Sequence, residues 1–313
     1  MTAGTVTATL RLGTRASALA RTQSQAVADA ITAATGTPVE LVHIVTEGDR
    51  SAEAISQLGG TGVFVAAIRR ALLEGSIDLA VHSYKDLPTA AEPGLIIAAV
   101  PARQDPRDAL IARDGLTLGE LPPGSTIGTG APRRVAQLRA LGLGLDVVPI
   151  RGNVDTRLGR VAEGDLDAVV LARAGLARLG RLDEITETLD PLQVLPAPAQ
   201  GALAVECRTS DARTRELLGR LEDTSARACV VAERSTLAAL EAGCSAPVAA
   251  YAEVAEGDAG PELFLRASVT AIDGSDAVRG SVSGPLPEAA ALGRALALEL
   301  LDRGAVELMA VNP

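Results

Sequence analysis

The sequence contains almost no aromatic residues: two tyrosines, two phenylalanines and no tryptophan among 313 residues. Platforms on which bases could stack are nearly absent, which argues against single-stranded nucleic acid as a ligand. The net charge of −10 argues equally against a phosphate backbone as partner, although it permits a local arginine pocket for a small anion. Because hydrophobic residues still make up 47% of the chain, alanine, valine and leucine must fill its cores.

Cysteine is also scarce, and its pattern limits the chemistry. Cys207, Cys229 and Cys244 lie far apart, with no CxxC motif and no histidine nearby, so we expect no metal site. The sequence shows no signal peptide and no apolar run of about 18 residues, so we expect no membrane partner. These features predict a cytoplasmic protein with reduced thiols.

Lysine occurs once, at Lys85, whereas arginine is abundant. It follows an apolar run, Ile77 to Val81, that ends in polar residues and is typical of a buried parallel strand. Ligands of open α/β sheets bind beyond the carboxyl ends of such strands, so Ser83, Lys85 and Asp86 are candidate site residues. Lysine is not replaceable by arginine where a compact charge must fit, which favours a specific role for Lys85. The alternative is a surface salt bridge between Lys85 and Asp86 in the loop after the strand.

Arginines recur at the starts of predicted helices. Arg15 follows a strand and a turn, with Thr14 as predicted N-cap of a helix from about Ala16 to Ala33. Backbone N–H groups and the helix dipole favour an anion at such an end, whereas arginine is a poor residue there unless an anion neutralises it. A solvated cap residue is the alternative interpretation of Arg15.

The same order of strand, turn, arginine and helix start appears twice more. Arg133 and Arg134 follow Pro132, and Arg151 precedes Asn153, a predicted N-cap, with Arg157 one turn later. Forked guanidinium groups bind carboxylates well. Three such sites together favour a polyanionic ligand.

A sequence echo indicates two similar lobes. Residues 73–83 read LEGSIDLAVHS and residues 162–172 read AEGDLDAVVLA, each with an aspartate before a buried strand. We therefore expect an α/β fold with two related lobes and a ligand in the cleft between them. Arg173 and Arg178 follow the second copy as Lys85 and Asp86 follow the first.

The remaining sequence predicts the domain order. We expect a first α/β lobe at 1–101 with 202–220, a second at 107–196, and a smaller C-terminal α+β domain at 224–313. Cys207 and Cys229 fall in apolar contexts typical of cores. Cys244 follows Gly243, a predicted helix end, and is expected in an accessible loop where a thiol can react.

The motifs together resemble the porphobilinogen deaminase (hydroxymethylbilane synthase) family from end to end. The segments are LRLGTRASALA, GGTGVFVAAIRRALLEGSIDLAVHSYKDLPT, QDPRDAL, IGTGAPRR, IRGNVDTRL, LPAPAQGALAVECR and LEAGCSAPVAAYAEV. The resemblance implies two periplasmic-binding-protein-like lobes plus the α+β domain. It implies a cytoplasmic, monomeric transferase of tetrapyrrole biosynthesis that condenses four porphobilinogen units head to tail, with loss of ammonia, and releases hydroxymethylbilane.

The resemblance also assigns residues. It implies a dipyrromethane cofactor bound through a thioether to Cys244, and Asp86 as the catalytic carboxylate that stabilises the cation formed when ammonia leaves. Lys85 would meet a cofactor carboxylate. The residues implied to bind cofactor or substrate are Arg15, Ser17, Phe64, Ser83, Lys85, Thr129, Arg133, Arg134, Arg151, Asn153, Arg157, Arg178 and Gln200.

The chain departs from the family pattern at several positions. Thr61 stands where a lysine is common, so one loop cation is missing, and Gly130 and Ala131 replace two serines. Tyr84 and Ala18 replace a frequent methionine and proline. These departures bear on rate and not on the class of reaction. A non-catalytic, two-lobed anion-binding module is the alternative function, and the mass of the intact protein distinguishes the two.

Overall fold

The computed structural model describes residues 9–44, 61–241, 246–257 and 260–309, with the backbone only for residues 61–64. The side chain of Phe64, the glycines at 59 and 60, and the thiol of Cys244 therefore lie outside the described residues. The chain divides into two compact units, one made of residues 1–103 and 202–226, the other of residues 104–201 and 227–313. Because this division gives two units, it does not test the predicted boundaries of three domains, which stay a prediction.

The first unit contains a mixed five-stranded sheet in the order β2-β1-β3-β10-β4. β1, β2 and β3 run parallel, and β10 runs antiparallel to both of its neighbours. Its strands are β1 (Leu10–Thr14), β2 (Val39–His43), β3 (Leu79–Ser83), β4 (Leu95–Ala99) and β10 (Leu203–Arg208). Its helices are α1 (Ala18–Thr35), α2 (Thr61–Leu73) and α6 (Ala212–Gly219).

The second unit contains a sheet of the same design, in the order β7-β6-β8-β5-β9. Three strands are again parallel and the fourth, β5, is antiparallel. The strands are β5 (Asp108–Ala112), β6 (Thr126–Thr129), β7 (Asp146–Pro149), β8 (Ala168–Ala172) and β9 (Glu187–Thr188). The accompanying helices are α3 (Pro132–Ala140), α4 (Val154–Ala162) and α5 (Arg173–Arg178).

The shared topology confirms the two related α/β lobes, and the repeated aspartate explains the echo. Asp78 accepts a hydrogen bond at 2.9 Å from the backbone N–H of Arg11 on β1. Asp167 accepts one at 2.7 Å from the backbone N–H of Thr126 on β6. In each lobe the carboxylate thus links the second strand in the sheet order, β1 or β6, to the start of the neighbouring parallel strand, β3 or β8.

A three-stranded antiparallel sheet, β11-β12-β13, forms the rest of the second unit together with three helices. One face of this sheet is apolar, with Leu263, Leu265 and Val269 fully buried against the helices. The strands are β11 (Val248–Gly257), β12 (Gly260–Thr270) and β13 (Ala277–Pro285), and the helices are α7 (Thr224–Ala239), α8 (Ala289–Asp302) and α9 (Ala305–Met309).

The predicted cap of the first helix is wrong by one turn. Ser17, not Thr14, is the N-cap of α1, and its hydroxyl accepts a hydrogen bond from the backbone N–H of Ala20. Thr14 is still the last residue of β1, where its buried hydroxyl accepts a hydrogen bond from Ser24 at 2.9 Å. The helix therefore begins later because the strand continues through Thr14.

Candidate functional site

The first lobe carries a small pocket at the ends of β1 and β3, beside the start of α1. Its volume is about 130 Å³. The carboxyl ends of parallel strands and the N-terminus of a helix meet here, as expected for a ligand site in an open α/β sheet. We call this site the first-lobe pocket; it is lined by Arg15, Ser17, Leu19, Ala20, Gln23, Val65, Ile68, Val81, His82, Ser83 and Asp86.

The polar wall of the first-lobe pocket contains a cation, hydroxyls and an amide. The hydroxyl of Ser83, the last residue of β3, lies 3.1 Å from Nε2 of Gln23 on α1. Arg15 is half-buried and Ser17 is exposed. Sequence reasoning missed Gln23, which is buried and points toward β3 from the first turns of the helix.

Asp86 and Lys85 lie on a single 3-10 turn, Tyr84–Asp86, that directly follows β3. Tyr84 and Leu87, on either side of these two residues, are buried, and the backbone N–H of Tyr84 donates to the carbonyl of Ala202 at 3.1 Å. These anchors leave Lys85 half-buried and the carboxylate of Asp86 exposed at the rim of the pocket. The turn therefore presents a carboxylate on a fixed support.

The adjacent arginines of the second lobe form a buried network with Asp108. Nη1 of Arg133 lies 2.7 Å from Oδ2 of Asp108, and Nη2 of Arg134 lies 2.7 Å from Oδ1. Asp108 is fully buried, and both arginines are 4% exposed. The predicted anion at this helix start is thus, in part, a carboxylate of the chain itself.

The charge balance of this network fixes its ionisation. Burial alone raises the pKa of Asp108, but the charges and hydrogen bonds of Arg133 and Arg134 hold it well below its ordinary value. Burial lowers the pKa of Arg133, and Asp108 offsets only part of that effect. One carboxylate thus neutralises two guanidinium groups incompletely, and Nε of Arg134 is buried with no hydrogen-bond partner in the part of the chain that the structure describes.

Gln200 belongs to the same network. Its Nε2 donates to Asp108 at 2.7 Å and its Oε1 accepts from Arg133 at 3.1 Å. The preceding residue, Ala199, has a φ of 61°, a left-handed backbone conformation that residues with a side chain rarely adopt. Its N–H donates at 2.6 Å to the fully buried Glu233. Sequence reasoning missed both Asp108 and Glu233 as supports of this site.

Two more cations of the second lobe, Arg157 and Arg178, are half-buried and donate to backbone carbonyls. Nη2 of Arg178 donates to the carbonyl of Gly201 at 2.7 Å, and Nε of Arg157 donates to the carbonyl of Gly152 at 2.9 Å. Burial lowers the pKa of Arg178 to about 10, and burial together with the charge of Arg134 lowers the pKa of Arg157. Within residues 9–44, 61–241, 246–257 and 260–309, no acidic side chain forms an ion pair with either.

The turn before α3 explains one departure from the family pattern. A Cβ on Gly130 would lie 2.8 Å from the carbonyl oxygen of Ile150 and 3.5 Å from Nη2 of Arg157. Thr129, at the end of β6, is fully buried. This backbone therefore accommodates glycine at position 130 and brings the Arg157 guanidinium against it.

The start of α4 carries the other predicted residues of this lobe. Asn153 is its N-cap, and the side-chain oxygen accepts from the N–H of Thr156 at 2.8 Å, as predicted. Arg151 and Asn153 are both exposed, so their remaining donors face solvent. The structure brings Thr129, Arg151, Asn153 and Arg157 to one end of the second sheet.

The donors present fit a ligand with several carboxylates. Arg157 and Arg178 offer partly desolvated guanidinium groups with no acidic partner in the described part of the chain, and such groups bind carboxylates strongly. Each lobe thus offers cationic or hydroxyl groups at its strand ends. The acidic cofactor that the resemblance implies is compatible with both faces.

The two cysteines of the described residues are poorly suited to hold such a group. Cys207 is fully buried and Cys229 is 6% exposed. Burial, with the nearby charge of Asp211, raises the pKa of Cys207 to about 11. The thiolate is the reactive form of cysteine, so Cys207 is inert at neutral pH.

Over the described residues, none of the helices combines the length and apolar composition required to span a bilayer.

Comparison with known proteins identifies the family. Residues 10–216 match the model "Porphobilinogen deaminase, dipyromethane cofactor binding domain", and residues 227–302 match "Porphobilinogen deaminase, C-terminal domain". A porphobilinogen deaminase of Nocardia farcinica is 61% identical over 305 residues, covering 96% of this chain and 88% of the relative. Those of Mycobacterium avium and Mycobacterium tuberculosis are 60% identical over the same share of this chain and 96% and 98% of their own.

Among solved structures, the methionine-binding protein MetQ matches at 12% identity and a TM-score of 0.42, over 68% of this chain and 89% of that protein. The relatives and the two domain models cover nearly the whole sequence. The chain belongs to the porphobilinogen deaminase family.

Proposed function

We propose that the chain condenses four porphobilinogen units into hydroxymethylbilane, with the two cationic lobe faces holding the acetate and propionate groups of the growing product. As a member of its family it is a transferase of tetrapyrrole biosynthesis that acts on porphobilinogen and carries a dipyrromethane cofactor. The observation that carries the assignment of the binding residues is the pair of half-buried arginines, Arg157 and Arg178, without acidic partners in the described ranges.

In this proposal Asp86 is the catalytic carboxylate. Porphobilinogen loses ammonia from its aminomethyl group, and positive charge develops on the pyrrole. A carboxylate that is already in position stabilises that charge and can accept a pyrrole proton. Asp86 suits both roles because its turn is anchored by Tyr84 and Leu87 while its carboxylate lies at the pocket rim.

The binding residues divide by lobe. In the first lobe Arg15, Ser17, Ser83 and Lys85 would bind carboxylates and position the ring next to Asp86. In the second lobe Arg157, Arg178 and Arg151 would bind carboxylates directly, and Thr129 and Asn153 would add polar contacts. Arg133, Arg134 and Gln200 are engaged with Asp108, so we assign to them an electrostatic contribution through the incompletely neutralised network.

Cys244 is proposed as the attachment residue and Phe64 as a contact of the cofactor or substrate, both on the strength of the sequence motifs. When bound, dipyrromethane supplies the pyrrole carbon to which substrate is added. The inert environments of Cys207 and Cys229 support Cys244 by elimination within a chain of three cysteines.

Intact-protein mass spectrometry tests the proposal. The protein expressed in a cell that makes porphobilinogen should carry one dipyrromethane adduct, and brief exposure to porphobilinogen should add further single units in steps. A bare polypeptide mass under both conditions would instead identify a non-catalytic anion-binding module. The same preparation should release hydroxymethylbilane on longer incubation.

We further propose that the chain acts as a monomer in the cytoplasm. Light scattering coupled to size-exclusion chromatography should return the 31.8 kDa of one chain plus its cofactor. A stable dimer mass at micromolar concentration would contradict the monomer.

A further inference from the structure

A buried chain of charged side chains lies directly behind the first-lobe pocket. The Glu206 carboxylate accepts hydrogen bonds from Nη2 of Arg69 at 2.9 Å and from Nε of Arg69 at 3.1 Å. Its other oxygen lies 3.0 Å from Nε2 of His82. Arg69, His82 and Glu206 are 8%, 7% and 2% exposed.

Three elements converge in this chain. His82 on β3 pairs with Ala204 on β10, and Glu206 pairs with Ala80, so both side chains share the sheet face against which α2 packs. Arg69 reaches Glu206 from α2. The carboxylate therefore links α2 and β10 to the penultimate residue of β3.

The hydrogen-bond roles follow from the ionisation of Glu206. Burial raises the pKa of Glu206, but the hydrogen bonds and charges of His82 and Arg69 bring it below its ordinary value. An ionised carboxylate only accepts hydrogen bonds, so Nε2 of His82 carries the hydrogen. This bond fixes the orientation of the imidazole ring.

His82 also connects directly to the proposed reaction site. It lines the first-lobe pocket, and it precedes Ser83 and the turn that carries Lys85 and Asp86. Buried ion pairs are weak sources of net stability compared with apolar residues of similar size. Because this buried ion pair lies directly before the turn that carries Asp86, we interpret it as fixing the geometry of that turn.

We propose that His82, held by Glu206 and Arg69, is a positioning residue that sets the end of β3 and thereby places Asp86 against the substrate. This inference rests on the proposed function of Asp86. Catalysis is sensitive to such placement, because an error of about 1 Å can reduce rates by about 100-fold.

Replacing His82 with Gln and with Leu separates positioning from proton transfer. Gln retains an N–H donor close to the position of Nε2 but cannot act as an acid or base, whereas Leu retains only bulk. We expect H82L to lower kcat at saturating porphobilinogen by at least ~10-fold. We expect H82Q to stay within about threefold of the wild type, with KM little changed in both variants.

Two controls exclude other causes. His43, the second histidine of the chain, is exposed on β2, and H43L should leave kcat unchanged. Leu218 is fully buried in the core that packs on the Leu79 and Val81 face of β3, opposite the face that carries His82. L218A should reduce stability, measured by urea denaturation and circular dichroism, without lowering kcat. Arg69→Met, which breaks the chain from α2, provides a second test should H82L not fold, and it should lower kcat in the same direction.

A wild-type kcat in folded H82L or R69M would overturn the proposal. A decrease of kcat in L218A as large as that in H82L would overturn it as well. Equal losses in H82Q and H82L would assign proton transfer to the imidazole and also overturn positioning. Failure of the proposed function itself would be seen separately, as a wild-type protein that makes no hydroxymethylbilane.

Discussion

Replacing Asp108 with Asn should strongly destabilise the second lobe, because the side chain of Asp108 is fully buried. Asp108 lies within hydrogen-bond distance of both Arg133 and Arg134, and its loss leaves two buried guanidinium groups without a counter-ion among the described residues. Breaking a buried ion pair by removing one partner costs about 3–5 kcal/mol. At a urea slope of about 3 kcal/mol per M, the unfolding midpoint should fall by roughly 1–1.7 M.

The assay is urea denaturation followed by far-UV circular dichroism, because the chain has no tryptophan. Asp105→Asn is a matched control: Asp105 also pairs with two arginines, Arg107 and Arg173, but its side chain is 20% exposed and theirs are 42% and 28%. Surface pairs contribute about 0–1 kcal/mol, and these pairs are partly exposed, so D105N should shift the midpoint less than D108N. Equal midpoints for D108N and D105N would refute the reasoning.

The pH dependence of the same pair gives an independent check. The folded-state pKa of Asp108 lies below its unfolded value, so its contribution to stability is present above about pH 4 and disappears as the pH falls below that value. The stability difference between wild type and D108N should therefore be constant from pH 5 to 8 and should shrink in acid. A difference that grows in acid would contradict the assigned ionisation.

Three further predictions concern the site. Asp86→Ala should leave a folded protein with kcat reduced at least ~100-fold, and near-normal turnover would remove Asp86 from the mechanism. Arg178→Gln should raise KM for porphobilinogen by roughly 10- to 100-fold, the equivalent of one charged hydrogen bond, whereas the exposed Arg294→Gln should not change it. Native protein treated with iodoacetamide at pH 8 should stay unlabelled at Cys207 and Cys229; fast labelling of either would contradict their burial.

Local patterns predicted the lobes and much of the candidate site. The aspartates of the sequence echo, Asp78 and Asp167, bind equivalent strands in the two sheets, so a short motif carried information about topology. Ser83 and Asp86 follow a strand whose apolar run and Pro88 mark its end, and that signal is also local. The placement of Asn153 as a helix cap follows from residue type alone.

The parts that sequence reasoning missed depend on distant partners. Asp108 receives its hydrogen bonds from residues 25, 26 and 92 positions away, and Glu206 receives those of Arg69 across 137 positions. In the sequence Asp108 is one residue of the QDPRDAL segment, and nothing near it in sequence reveals its burial. The start of α1 at Ala18 was missed because Thr14 and Ser17 are both good N-caps, and the length of β1 decides between them.

The most direct test of the account is peptide mapping of the purified protein after expression in a porphobilinogen-producing cell. A dipyrromethane mass on the peptide that contains Cys244, absent from Cys244→Ser, together with stepwise addition of substrate units to the wild type, is the predicted result. An adduct on Cys207 or Cys229, or a C244S protein that still gains substrate units, would contradict it.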